Sequence, residues 1–261
     1  MSRPLPQSLL AEAEPFDDLL PEEAFPGDSS LEEAGSGPVL RAVPSLNEAV
    51  RRVRPTMLAV DRALPVLEAL DGLLPNGLRR GVTVEVSGTG ARSLALALVA
   101  RATGIGSWVV VVGDGDLGLA AAAEVGVALE RLVVVDAPNR EQWAPVVATF
   151  VGAVDLVLVS PGHRPSMGDV RRLEARCRER GSVLVHLSPG SPGVGRLVDD
   201  WPGRLDLRFS VDGAAWDGPH GGQGRLRSRR VEVSVTGRGF PTEGRRDTLL
   251  LPGPSGVPAH P

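Results

Sequence analysis

Residues 82–97 read Val82-Thr83-Val84-Glu85-Val86-Ser87-Gly88-Thr89-Gly90-Ala91-Arg92-Ser93-Leu94-Ala95-Leu96-Ala97. A β-branched run, a turn holding two glycines and an Ala/Leu-rich stretch follow one another directly, which predicts a strand, a tight turn and a helix. Four further apolar runs follow: WVVVV at 108–112, LVVVD at 132–136, VDLVLV at 154–159 and SVLVHL at 182–187. Strands apolar on both faces belong in the middle of a parallel sheet covered on both sides. Between them, helical patterns cover roughly 92–102, 118–127, 139–151 and 166–180, with Asn139 and Gln142 placed as a helix N-cap and an amide three residues later. Strands alternating with helices of this length predict an α/β protein, a mostly parallel, doubly wound sheet built from right-handed βαβ units. LDLRFSVD at 205–212 and RRVEVSVTGR at 229–238 change to period-two alternation with no helix between them, which predicts antiparallel strands added at the sheet edge.

Parallel sheets bind ligands at the carboxyl ends of their strands, so the Ser87–Ser93 turn is the place to look for a site. A phosphate loop of the form G-x-x-x-x-G-K-[ST] wraps backbone N–H groups around phosphates and places a lysine and a hydroxyl on the terminal phosphate and its magnesium. Here one residue separates Gly88 from Gly90, Ala91 or Arg92 stands at the lysine place, and Ser93 remains for the hydroxyl. The same residues also read as G-x-G-x-x-S, near the dinucleotide fingerprint, with Asp114 after the next strand as an acid for a ribose. A degenerate phosphate loop, a dinucleotide turn and a tight turn that binds nothing all remain open on these residues.

Composition narrows the chemistry. All 28 basic residues among the 261 are arginine, so every mechanism that needs an ε-amino group is excluded, a phosphate-loop lysine among them. Aromatic residues are 3% and tyrosine is absent, which argues against a platform that stacks successive unpaired bases. Cys177 is the one cysteine, on an expected amphipathic helix, and reads as a structural thiol. Residues 1–37 carry nine carboxylates against Arg3, an acidic arm expected to be disordered or loosely docked, so a chain of net charge −4 divides into an acidic arm and a mildly basic body. Residues 38–69 are expected to form a helical connector broken by Pro55 and Pro65, residues 70–246 the α/β core and residues 247–261 a Pro/Gly-rich tail. The start lacks the apolar segment of a secretory signal and the run Leu94 to Ala100 is far too short to span a bilayer, so a cytoplasmic location is expected.

The stretch Leu70-Asp-Gly-Leu-Leu-Pro-Asn-Gly-Leu-Arg-Arg-Gly81-Val-Thr-Val-Glu85-Val-Ser-Gly88 resembles the entry to the ATPase core of RecA-type recombinases, a G-L-P-x-G segment followed by G-x-(V/I)-x-E-(I/V)-x-G. The segment VVVVGDGDLGLAAAAEVGVALERLVVVDAP is similar to that family's second strand, acidic turn, helix and third strand. Ala153 to Ser160 looks like its Walker B strand, and the likeness runs over about residues 70–238. Within the RecA-like superfamily the chain looks most like ImuA-type mutasome accessory proteins in a degenerate, ATPase-dead form of actinobacterial type. That resemblance implies a RecA-like P-loop fold and a non-catalytic adaptor in damage-induced mutagenesis, bridging a translesion complex of a Y-family-like partner and a replicative-type error-prone polymerase, cytoplasmic and nucleoid-associated when engaged.

Carried onto this sequence, Gly88, Gly90, Arg92 and Ser93 fall on relict phosphate-loop positions and Ser160 on the Walker B aspartate. No cofactor is expected. An active DNA-dependent ATPase using ATP and magnesium through an unusual loop is the alternative, and a dinucleotide-binding protein a further one. The DNA-loop places, Pro161 to Gly168 and Pro189 to Gly195, are small and poor in basic residues. Arg225, Arg227, Arg229 and Arg230 are candidates for DNA phosphate contact, or the charges of a solvated edge strand. Leu249, Leu250 and Leu251 are candidates for docking a partner, or a strand that packs on its own core. No spacing of His and Cys suggests a metal site.

Overall fold

The valine runs alternate between two cores. In a computed structural model that describes residues 63–136, 138–189, 201–218 and 225–261, Val109, Val111, Leu156, Leu158, Val183, Val185 and Leu187 pack into one apolar cluster, while Val110, Val112, Val157, Val159 and Leu184 pack into another. Successive side chains of a strand point to opposite faces, so a strand buried on both sides needs apolar residues at every position. Each such side chain contributes about 1.5–3 kcal/mol on leaving water.

The elements are β1 (Ala63–Leu64), β2 (Leu78–Arg79), β3 (Thr83–Gly88), α1 (Ala91–Gly104), β4 (Val109–Val112), α2 (Leu119–Val125), β5 (Leu132–Val135), α3 (Arg140–Ala153), β6 (Leu156–Val159), α4 (Met167–Arg180), β7 (Val183–Pro189), β8 (Leu207–Asp217), β9 (Ser228–Gly237) and β10 (Arg245–Leu250). β1 and β2 form a small antiparallel pair; the remaining strands form one eight-stranded sheet in the order β10-β9-β8-β3-β7-β6-β4-β5. All neighbours from β8 to β5 are parallel, and β9 and β10 are antiparallel additions. The chain is therefore an α/β protein with a mostly parallel mixed sheet.

Helices cover both faces. α1 buries an unbroken run from Leu94 to Ala100 and shares the first cluster with Ala122 and Val125 of α2. A helix apolar all round must be enclosed, and α1 lies against β3, β7 and β8 at the centre of the sheet. On the opposite face α3 contributes Trp143, Val147 and Val151, and α4 contributes Val170, Leu173 and Cys177 at helical spacing. Local chemistry fixes their starts. Asn139 accepts a hydrogen bond from the Gln142 N–H at 2.8 Å, and Ser166 Oγ accepts one from the Asp169 N–H at 3.1 Å.

Two expectations about the carboxyl-terminal part change. Residues 207–217 alternate as an antiparallel edge strand would, yet β8 runs parallel to β3, pairing Val84 with Leu207 and Gly88 with Val211. The segment between β7 and β8 is long enough to return the chain to the starting edge of the sheet, and alternation says nothing about direction. Residues from 247 onward are not a tail: β10 begins at Arg245, and the Leu250 N–H donates to the Ala259 carbonyl at 2.8 Å, closing the end of the chain onto the sheet. Of the connector expected over residues 38–69, the described part is β1 and a single 3-10 turn at Glu68–Leu70. The acidic arm, the rest of the connector and all but Pro189 of the second DNA-loop place lie outside the described residues.

The cysteine sits deep in α4 with no exposed surface, and burial pushes its thiol up to about 12. Maleimide labelling at pH 8 is expected to run about 100-fold or more slower in the native chain than in urea, because the thiolate is the reacting form. Comparable rates in the two states would place Cys177 outside the core.

Candidate functional site: the carboxyl ends of the parallel strands

α1 and α2 follow β3 and β4 on one face, whereas α4 follows β6 on the other, so the connections diverge at the carboxyl ends of neighbouring parallel strands. Such divergence opens the crevice in which α/β sheets place ligands. Three turns meet this edge: Gly88–Gly90 after β3, Gly113–Leu117 after β4 and Ser160–Ser166 after β6.

The first turn is very short. β3 ends at Gly88 and α1 begins at Ala91, leaving only Thr89 and Gly90 between them. Gly88 has φ +98°, and a Cβ there would lie 2.2 Å from the Val211 carbonyl oxygen. Ser87 Oγ donates to the Phe209 carbonyl at 3.1 Å. The turn is thus drawn against β8, and Gly88 is needed for that approach of two backbones. Gly90, the residue before α1, has φ +113°, and a Cβ there would lie 2.3 Å from Nη2 of Arg229. Both glycines are explained by contacts within the chain.

Arg92, at the lysine place, turns to the tip of β4. Its Nε and Nη2 donate to the two carboxylate oxygens of Asp114, each at 2.7 Å. This hydrogen-bonded carboxylate, outweighing partial burial, holds the guanidinium above its ordinary range. Fork-to-fork pairing is the strong arginine–carboxylate geometry. It also occupies Asp114, the acid considered for a ribose. Asp116 is exposed on the same turn.

Ser93 lies in the first turn of α1, half-buried. Ser160 follows β6, and its N–H donates to the Val112 carbonyl at 3.0 Å, so it caps the seam between β6 and β4. A neutral hydroxyl at this strand end lacks the charge a carboxylate would bring to a divalent cation. Beyond it, His163 Nδ1 lies 2.7 Å from the Pro161 carbonyl oxygen, and its ring packs edge-on to Trp143. Glu85, buried in β3, is paired at 3.1 Å with Nε of Arg208, its register neighbour on β8. Among the described residues no three His, Cys, Asp or Glu side chains converge as a metal-binding group, and no helix is long and apolar enough to cross a membrane.

The four candidate arginines separate. Arg225, Arg227 and Arg230 are exposed, but Arg229 is buried, 7% exposed. It occupies the inward position of the set Arg229, Val231, Val233 and Val235, whose three valines pack in the same cluster as α1. Period-two reading of RRVEVSV marks it as inward, a signal that a count of clustered charges passes over. The three leucines divide as well: Leu249 and Leu251 have no exposed surface and belong to the core, while Leu250 is half-buried. Leu249 and Leu251 form part of the chain's own core and are not free to dock a partner.

The fold and this edge define an α/β protein whose turn after β3 is tied to its own neighbouring strands. A family model, the MT3502 N-terminal domain, matches residues 72–193, which takes in β3 to β7 and every turn of this edge. The uncharacterized protein Rv3395c of Mycobacterium tuberculosis (strain ATCC 25618 / H37Rv) is 33% identical over 157 residues, 58% of this chain and 72% of the relative's own length. The chain belongs to that mycobacterial protein's family.

Proposed function

We propose that this protein is a RecA-like P-loop relict that works as a non-catalytic adaptor in damage-induced mutagenesis, within a translesion complex holding a Y-family-like partner and an error-prone replicative-type polymerase. The observation that carries the non-catalytic part is the Arg92–Asp114 clasp. The one cation at the lysine place spends its fork on a neighbouring carboxylate, after a turn with two residues between strand and helix. A turn of that length offers too few N–H groups to wrap a triphosphate, and phosphoryl transfer depends almost wholly on such positioning and charge. Ser160 removes the second charge that the reaction would use.

The RecA-like part is supported by the order of elements along residues 70–238 and by β3 lying inside the sheet between β7 and β8 with the relict loop at its end. The polymerase partners rest on the resemblance to ImuA-type proteins. In this role the exposed arginines Arg225, Arg227 and Arg230 offer weak contact to DNA phosphates, and location is cytoplasmic, at the nucleoid when engaged.

Steady-state ATP turnover with magnesium and single-stranded DNA is the test. No turnover above a protein-free blank is expected. DNA-stimulated hydrolysis abolished by Arg92→Ala and Ser93→Ala would overturn the adaptor reading and make the relict loop an active site.

A further inference from the structure

A cleft opens at the amino ends of β3 and β8, the opposite end of the strands from the relict loop. β3 runs for six residues, so about 20 Å of strand separates the two places. The turn Leu74–Gly77 forms one wall, and the hairpin that joins β9 to β10 forms the other. Leu74, Val82 and Leu207, all members of the first apolar cluster, make the floor, and the half-buried Phe240 packs against that cluster from the hairpin. The cleft has a volume of about 320 Å³, at the lower limit for a pocket that takes a whole cofactor. It admits one large side chain whose neighbours stay outside.

The rim of the cleft is positive. Arg79, Arg238 and Arg245 are all exposed there, and none has a carboxylate partner among the described residues, whereas Arg80, Arg92, Arg172 and Arg208 each have one. Asp206, the acid in the lining, already accepts a hydrogen bond from the Thr83 N–H at 3.1 Å. Two of the arginines are set in place by the chain itself. The Arg245 Nη1 donates to the Gly72 carbonyl at 3.2 Å, and its guanidinium lies 5.8 Å from the centre of the Phe240 ring. The Arg238 N–H donates to the Asp206 carbonyl at 2.8 Å, next to Gly237, where a Cβ would stand 2.1 Å from the same oxygen. Such fixed, unpaired cations around an apolar floor lower the ordering cost of binding an anion that also carries an apolar group.

We propose that this cleft docks an acidic peptide segment of a partner protein, with one aromatic or long aliphatic side chain on the apolar floor and the carboxylates beside it on the arginine rim. Carboxylates match the arginine fork in pairs, and the apolar side chain leaves water on a floor made of core residues. A nucleic-acid backbone would supply the charge but nothing for the apolar floor, and it follows basic residues set along a groove rather than around a hole. The inference does not depend on the adaptor reading, since an active ATPase could dock the same peptide, and it is read by binding and not by turnover.

The test selects a displayed library of random dodecapeptides on the full chain and measures the enriched peptides by fluorescence polarisation. The expected consensus is one Phe, Trp, Leu or Met flanked by Asp or Glu. Arg79→Ser combined with Arg238→Ser is expected to weaken binding at least about tenfold, whereas Arg171→Ser, exposed on α4, leaves it unchanged. Replacing the peptide's acids by their amides is expected to cost at least about tenfold as well, which tests the same contact without touching the chain. Bound peptide shifts the backbone amides of Asn76, Gly77, Gly239 and Phe240 and leaves those of Ala91 and Arg92 still. Absence of an acid-flanked consensus, or affinity that survives the double variant, sinks the site. Single-stranded DNA that binds more tightly than the peptide, with the same dependence on Arg79 and Arg238, would make the cleft a nucleic-acid face instead. Self-association of the chain that is lost in the double variant would assign the cleft to a second copy and equally overturn the proposal.

Discussion

Alanine at position 88 is expected to lower the unfolding free energy by about 2–5 kcal/mol, a large part of what a domain of this size has to lose. Two effects combine. At φ +98° a side chain is strained wherever it sits, and at Gly88 its Cβ would also stand 2.2 Å from the Val211 carbonyl oxygen, a backbone atom that cannot rotate away. β3 and β8 are hydrogen-bonded neighbours there, so relief requires the strands to part. Gly106 supplies the comparison. Its φ is +109°, but nothing lies within 4 Å of its Cβ position, so Gly106→Ala should cost only the backbone strain, about 1–2 kcal/mol. Urea unfolding of both variants separates strain from clash, and equal losses would show that the approach of β3 to β8 does not determine the glycine at 88.

Arg92→Ala is expected to destabilise by about 3 kcal/mol, and Asp114→Ala by about 1 kcal/mol. The asymmetry follows from burial. The Asp114 side chain is 3% exposed, so removal of its partner leaves a carboxylate shut away from water; the Arg92 side chain is 46% exposed and regains water when Asp114 is removed. The double variant should be more stable than Arg92→Ala alone, because it removes the stranded charge, and a double-mutant cycle by denaturant unfolding measures the coupling. Equal single losses that add would show the clasp to be two independent surface groups. The experiment also bears on function: loss of activity in cells after Arg92→Ala has to be compared with the fall in folded protein before it says anything about chemistry.

The parallel strands and the helices were legible because their signals are local. Val109–Val112 and Leu156–Val159 need apolar residues on both faces wherever the sheet lies, and the expected strand at 108–112 and helix at 166–180 lie within a residue or so of β4 and α4. The N-cap at Asn139 was legible for the same reason, since donor and acceptor are three residues apart. β8 was legible as a strand but not in its direction, which depends on where the preceding connection delivers the chain. Leu249 and Leu251 carried an apolar signal that did not say whether the apolar surface is a partner's or the chain's own; the pairing of β10 with β9 decides it.

At the candidate site the division is sharper. The absence of lysine, the short Gly88–Gly90 turn and Ser160 at a strand end are facts of the sequence, and they alone determine which groups this edge can offer. What those groups do depends on residues distant along the chain. Gly88 owes its necessity to Val211, Arg92 its orientation to Asp114, and Gly90 its closest neighbour to Arg229, and each contact exists only once the sheet has formed. Side-chain periodicity is set by the geometry of one strand or helix and can be read from consecutive residues. The approach of a guanidinium to a helix start is set by strand order and register, which sum contacts over the whole core, so tertiary structure alone decided it.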